Sequence, residues 1–147
     1  MDYEETIDTR AEAAQAWAAL AAVTTYPRWT TSMTAVEPLD GPDLRAGNRF
    51  RSRQPGLPVM VWRVSEVDDG TSFSWEATSP GVHTVGYHRI AALPAGGTRI
   101  TIGIRQRGVL AGLVAALTAA KTRRYLTLEA AGLKAAAEAV MASDGGQ

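Results

Sequence analysis

The chain contains no cysteine, which excludes a disulfide scaffold, a thiolate metal site, a cysteine nucleophile and an iron–sulfur cluster. Its two histidines, His83 and His88, are too few for a metal site built on several imidazoles. No metal and no other cofactor is expected. Charge of one sign is not in excess either, since 15 Lys and Arg stand against 15 Asp and Glu. A general nucleic-acid binder needs a basic field to displace counterions, so no nucleic-acid partner is expected. Long hydrophobic runs are also missing. The longest, from Val109 to Ala120, is about half of the roughly 20 residues a membrane-spanning helix needs, and it then meets Lys121, Arg123 and Arg124. That excludes stable membrane insertion. The opening MDYEETIDTR is acidic and polar, the reverse of a signal peptide, and a cytoplasmic protein is expected. There is no Gly-x-Ser-x-Gly nucleophile elbow and no glycine-rich phosphate loop.

What is present is 147 residues, 46% apolar and 20% charged, the composition of one folded domain with a real core. The domain is expected to span residues 1–142, with the small polar residues 143–147 as a fraying tail. Tyr3 to Asp8 alternates like a short strand. Thr9-Arg10-Ala11-Glu12 fits a capping box that opens a helix running to about Val23. Pro27 suits the first turn of a second short helix near Tyr26 to Trp29.

From Thr34 to Arg107 the period is two. Gly-Pro, Pro-Gly, Asp-Gly and Gly-Gly pairs separate strand candidates at 34–39, 48–54, 58–67, 72–78, 82–93 and 98–107. Short connections make these antiparallel neighbours. A two-residue turn at Pro80-Gly81 sets Ala77 opposite Thr84, Trp75 opposite Gly86 and Phe73 opposite His88. Five loop residues from Leu93 to Gly97 set Ile90 opposite Ile100, His88 opposite Ile102 and Gly86 opposite Ile104. Both hairpins place the same apolar residues on one face and Ser74, Glu76, His83, Tyr87, Arg89 and Arg105 on the other. A two-residue turn at Asp69-Gly70 extends the apolar face to Trp62 and Val64; a bulge there flips them.

From Val109 to about Met141 the period is helical again. Leu110, Leu113, Leu117 and Leu128 mark one apolar stripe; Leu126, Leu133, Ala137 and Val140 mark a second, rotated one.

The order is therefore a strand, two short helices, a six-stranded meander and a long C-terminal helix. Particular segments carry a resemblance on top of that order: Tyr26-Pro27-Arg28-Trp29-Thr30, Val61-Trp62-Arg63-Val64, Phe73-Ser74-Trp75-Glu76, Pro80-Gly81 followed by His88, Gly97-Thr98-Arg99-Ile100-Thr101, and Arg124-Tyr125-Leu126 with Glu129 to Lys134. The chain resembles the START/birch-allergen (SRPBCC) superfamily, in its polyketide cyclase/dehydrase-like branch, over nearly its whole length. The resemblance implies an α+β helix-grip fold: a curved antiparallel sheet of about seven strands wrapped around the C-terminal helix, with a cavity between them. It implies binding of a small hydrophobic, ring-containing, lipid- or polyketide-like molecule. A cyclase or dehydratase and a co-chaperone-like interaction module are the alternatives.

On that reading the cavity is lined by Trp29, Met33, Trp62, Phe73, Trp75, Gly86, His88, Ile102, Leu113 and Leu117. Apolar burial supplies affinity. His88, on the apolar face, is either a neutral core histidine or the group that orients a ligand and shuttles a proton as general acid or base. The tryptophans either stack on a ring or pack the core. Arg49, Arg51 and Arg53 alternate with Phe50 and Ser52 as a solvated strand face or an anion patch. Glu66, Glu76 and Glu129 are carboxylate candidates, but spacing alone brings no two of them together. A monomer or a homodimer is expected.

Overall fold

The computed structural model describes residues 2–145. In chain order it contains β1 (Asp2–Thr9), α1 (Ala13–Ala21), a 3-10 helix (Val23–Arg28), β2 (Ala35–Pro38), β3 (Arg49–Arg53), β4 (Met60–Asp68), β5 (Ser72–Ser79), β6 (Val82–Ala92), β7 (Thr98–Arg107) and α2 (Ala111–Gly145). The strands form one antiparallel sheet in the order β1-β7-β6-β5-β4-β3-β2. The expected α+β helix-grip architecture is the observed one. The helix runs on through Ser143–Gly145, where a fraying tail was expected; residues 146 and 147 of that tail lie outside the described residues.

The central hairpins have the expected register. Ser79 pairs with Val82 across the Pro80-Gly81 turn, and Trp75–Gly86, Phe73–His88, His88–Ile102 and Gly86–Ile104 follow. Gly81 has φ +74°, a conformation only glycine adopts without strain. The β4–β5 hairpin resolves the open alternative by two irregularities. Asp68 pairs with Ser72, so the turn has three residues and the register slips by one. A bulge between Val64 and Glu66 slips it back, so that Val64 again faces Trp75. Val67, Val64 and Trp62 therefore all point inward, the last two buried.

The N-terminal cap differs from expectation. Thr9 still belongs to β1, paired with Thr98. Glu12 is the N-cap of α1, in a reciprocal box with Gln15. The Thr9 hydroxyl accepts from the Ala11 N–H and donates to Glu138, at 2.7 Å, tying the end of β1 to α2.

Inside, one aromatic group organises the core. The Trp75 ring meets Tyr26, Phe50, Trp62, Phe73 and His88 at centroid distances of 5.3–6.4 Å. Each such contact adds about 0.5–1.5 kcal/mol beyond area burial. Outside, the sheet is laced by cross-strand ion pairs, Arg99 with Asp8, Arg107 with Asp2 and Arg51 with Glu37, and Arg49 pairs with Asp40 of the loop after β2. The β3 arginines thus form a solvated face, with Phe50 and Ser52 buried behind them.

Candidate functional site

The sheet and α2 enclose a cavity of about 210 Å3. A water needs about 10–15 Å3 by the same measure, so the space holds on the order of a dozen waters or one small ring-bearing molecule. Its floor is the inner face of β4 to β7: Trp62, Trp75, Gly86, His88, Ile102 and Ile104. Its roof is Val114, Thr118, Thr122, Leu126 and Glu129 of α2. The rim comes from the β3–β4 loop with Gln54, Leu57 and Pro58, and from the β5–β6 turn with Ser79 and Pro80. That loop is latched to the helix, because the Tyr125 hydroxyl donates to the Pro55 carbonyl and Lys121 to the Gly56 carbonyl.

The floor is shaped by pairing register. Gly86 stands between Trp75 and Ile104, and the Trp75 indole lies over the space its missing side chain leaves. A Cβ at Gly86 would sit 2.6 Å from Trp75 Nε1. Trp62 stacks on Trp75 at 5.3 Å, and its N–H donates to the buried Ser52 hydroxyl at 3.0 Å. These contacts hold two large rings as a rigid apolar wall.

Two titratable groups line the inner end. The His88 ring lies flat on Phe73, with centroids 4.0 Å apart and planes 8° apart. Its Nδ1 is 3.4 Å from the Phe73 carbonyl, a long contact. Burial depresses its pKa to about 4, only weakly opposed by that carbonyl. His88 is therefore a neutral imidazole at neutral pH. Glu129 projects from α2. Its Oε1 accepts from the Ser32 hydroxyl at 3.2 Å and from the Gln54 amide at 3.4 Å, and Ser32 is in turn 2.8 Å from the Thr30 hydroxyl. Burial pushes the Glu129 carboxyl up to about 7, against the lowering effect of Ser32. Both groups also line a void of about 10 Å3 deeper in the core, beside Trp29 and Tyr26.

Of the residues expected at the site, Met33, Trp62, Trp75, Gly86, His88 and Ile102 line the main cavity. Trp29 lines the deeper void instead. Phe73 lies beneath His88, supporting it rather than facing the cavity. Leu113 and Leu117 correct the expectation outright: they are 59% and 78% exposed. Successive helical residues are about 100° apart, so Val114 and Thr118 face the cavity while the leucines beside them face solvent. Glu129 had been one carboxylate among three. Glu76 lies on the outer face with Arg63 and His83. Glu129 sits three residues after Leu126 and four before Leu133, both buried, and a charged residue on a buried stripe was the signal available for it.

A seven-stranded antiparallel sheet gripping one long helix over a largely apolar cavity defines a helix-grip protein. The chain belongs to the polyketide cyclase/dehydrase and lipid transport family, whose model matches residues 1–138. No curated protein matches it by sequence. Among solved structures, the Zhui aromatase/cyclase from a Streptomyces species is similar at TM-score 0.72 and 19% identity, over 94% of this chain and 93% of that one. The di-domain ARO/CYC protein BexL is similar at 0.70 and 20%, over 96% of this chain and 47% of that one. Ara h 8.0201 is similar at 0.64 and 14%, over 97% and 98%. Likeness at these identities shows the fold. No helix among the described residues is long and apolar enough to cross a membrane.

Proposed function

We propose that the protein binds one small, mostly apolar, ring-containing molecule between the sheet and α2. The observation that carries this is the cavity of about 210 Å3, walled by Trp62 and Trp75 and polar at its inner end. The aromatic wall supplies flat contact area for a ring, and burial of the ligand's apolar surface supplies affinity. Glu129 and His88 supply orientation. Below neutrality the carboxyl is a hydrogen-bond donor and the imidazole an acceptor, so a ligand carrying a hydroxyl or keto group finds a partner of either kind. Family membership and the resemblance to aromatase/cyclase structures support a ligand of lipid or polyketide type.

One observation favours a second reading. Below neutrality, a neutral carboxylic acid and a neutral imidazole in one cavity are an acid and a base held in complementary states. A cyclase or dehydratase needs such a pair: a base to take a proton from carbon next to a carbonyl and an acid to protonate the oxygen that leaves or becomes an enol. On this reading His88 is the base and Glu129 the acid, and the aromatic wall folds the chain.

Fluorescence titration with 8-anilinonaphthalene-1-sulfonate, a ring-bearing apolar probe, tests the binding reading. Saturable one-to-one binding is expected, weakened at least tenfold by Trp62→Ala. Absent or non-saturable binding refutes it. Native mass spectrometry of protein purified from its own host then names the ligand class. With a poly-ketone substrate in hand, a pH-dependent rate lost in His88→Gln supports the enzyme reading, and an unaltered rate removes His88 from the mechanism.

A further inference from the structure

The first half of α2 shows solvent the side that a globular helix normally hides. Leu113 and Leu117 are 59% and 78% exposed, and just before the helix Val109 and Leu110 are 93% and 43% exposed. Between them Gly112, Ala116 and Ala120 are also exposed, so no polar side chain interrupts the strip. Exposed contiguous aliphatic surface of this kind marks an interaction site.

The chain segments that carry and flank the strip have charges of one sign. From Ala77 to Leu128 the chain has no Asp or Glu, and this segment supplies the β5–β6 turn and the first half of α2. From Leu44 to Ser65 there is again none, and this segment supplies the β3–β4 loop. Lys121, Arg123 and Arg124 close the apolar strip, all exposed. Lys121 reaches only a backbone carbonyl, and Arg123 lies over the Tyr3 ring. Net neutrality of the whole chain conceals this, because Asp2, Glu4, Asp8, Glu37 and Glu76 lie on the outer face of the sheet, each paired with an arginine. A second copy of the chain would bring like charges together on this face. An anionic partner would meet the complementary charges of Lys121 and Arg124.

The strip also adjoins the cavity. Leu110 packs over Gly81, where a Cβ would lie 2.7 Å from it, and Gly81 belongs to the rim turn. Val114 and Thr118, which line the cavity, directly follow Leu113 and Leu117.

We propose that this face, the Val109–Leu117 strip with its cationic end, docks the protein on the surface of an anionic lipid bilayer. The leucines enter the acyl boundary, Lys121 and Arg124 meet lipid phosphates, and the helix lies in the interface without crossing it. Docked in this way, the rim of the cavity abuts the medium from which an apolar ligand is drawn. That last step rests on the binding reading above; the docking does not.

Flotation with vesicles of phosphatidylcholine, with and without about one quarter phosphatidylglycerol, tests the proposal. The expected result is partitioning onto the phosphatidylglycerol vesicles that weakens with salt. Leu113→Ser with Leu117→Ser lowers it at least about tenfold, and Arg124→Ser lowers it about fivefold. All these side chains are exposed, and unchanged binding of anilinonaphthalene sulfonate in solution reports an intact fold and cavity. If the probe fails to bind while the vesicles still capture the protein, the cavity reading falls and the docking stands. No partitioning, or partitioning untouched by the leucine substitutions, overturns the docking. So does a homodimer that the same substitutions dissociate, which assigns the face to a second copy.

Discussion

Placed in one cavity, His88 and Glu129 make the pH dependence of stability a sharp test of the site. Burial depresses the imidazole from 6.5 to about 4 and raises the carboxyl from 4.5 to about 7. Displacements of that size are worth about 3 kcal/mol each, with opposite pH dependence. For His88 the stability is fully present above 6.5 and is lost as pH falls towards 4. For Glu129 it is fully present below 4.5 and is lost as pH rises towards 7. Between those limits the unfolded chain carries one proton on the pair, on the histidine. The folded chain also carries one, on the carboxyl. Equal proton counts give zero slope, so the pair makes no contribution to the pH dependence of the native protein in that range.

Single substitutions remove the compensation. Glu129→Gln removes the carboxyl's contribution, and stability relative to the native protein should rise by about 3 kcal/mol from pH ~4.5 to ~7. His88→Gln removes the imidazole's contribution, and relative stability should fall by about 3 kcal/mol from pH ~4 to ~6.5. The absolute cost of each substitution does not enter, because only the change of the difference with pH is read. The outer-face carboxylates Asp2, Asp8 and Asp40 are held below the usual range by hydrogen bonds from Arg107, Arg99 and Arg49. Their pH dependence is common to all three proteins and cancels. Urea unfolding followed by tryptophan fluorescence at closely spaced pH supplies the curves. Two variants that run parallel to the native protein would refute the reasoning, since they would mean that both groups titrate as they do in water and that the inner end of the cavity is wet.

Two further substitutions probe the packing that makes the cavity. Gly86→Ala places a Cβ 2.6 Å from Trp75 Nε1; the ring is boxed in by five others, so it must move into the cavity. The expected cost is about 1–3 kcal/mol together with weaker probe binding, and unchanged affinity would show that Trp75 is not the wall described. Gly132→Ala sits in the middle of α2, where helix propensity alone predicts a gain of about 1 kcal/mol. Its Cβ would lie 2.2 Å from the Trp29 carbonyl oxygen, backbone that cannot step aside, and a loss of more than about 1 kcal/mol in thermal or urea unfolding is expected instead.

The contrast at Gly132 shows where sequence reading reaches and where it stops. Turns are local, so the Pro80-Gly81 turn and the five-residue loop from Leu93 fixed the registers of β5, β6 and β7, and with them the opposition of Trp75 to Gly86. The β4–β5 hairpin was less legible because two irregularities cancel. A regular strand sends Val64 and Val67, three apart, to opposite faces, and the bulge between Val64 and Glu66 brings both inward. The first half of α2 was misread for a different reason. Periodicity finds stripes but does not say which one faces the sheet, and the larger hydrophobic residues were assumed to face inward. Here the inward side is Ala115, Val114, Thr118 and Thr122. Small and hydroxylated residues are what a helix presents when it roofs a space instead of filling it. The leucines left outside are then not a defect of packing. A helix that turns its leucines away from the sheet leaves two apolar surfaces at once, the cavity beneath it and the strip beside it.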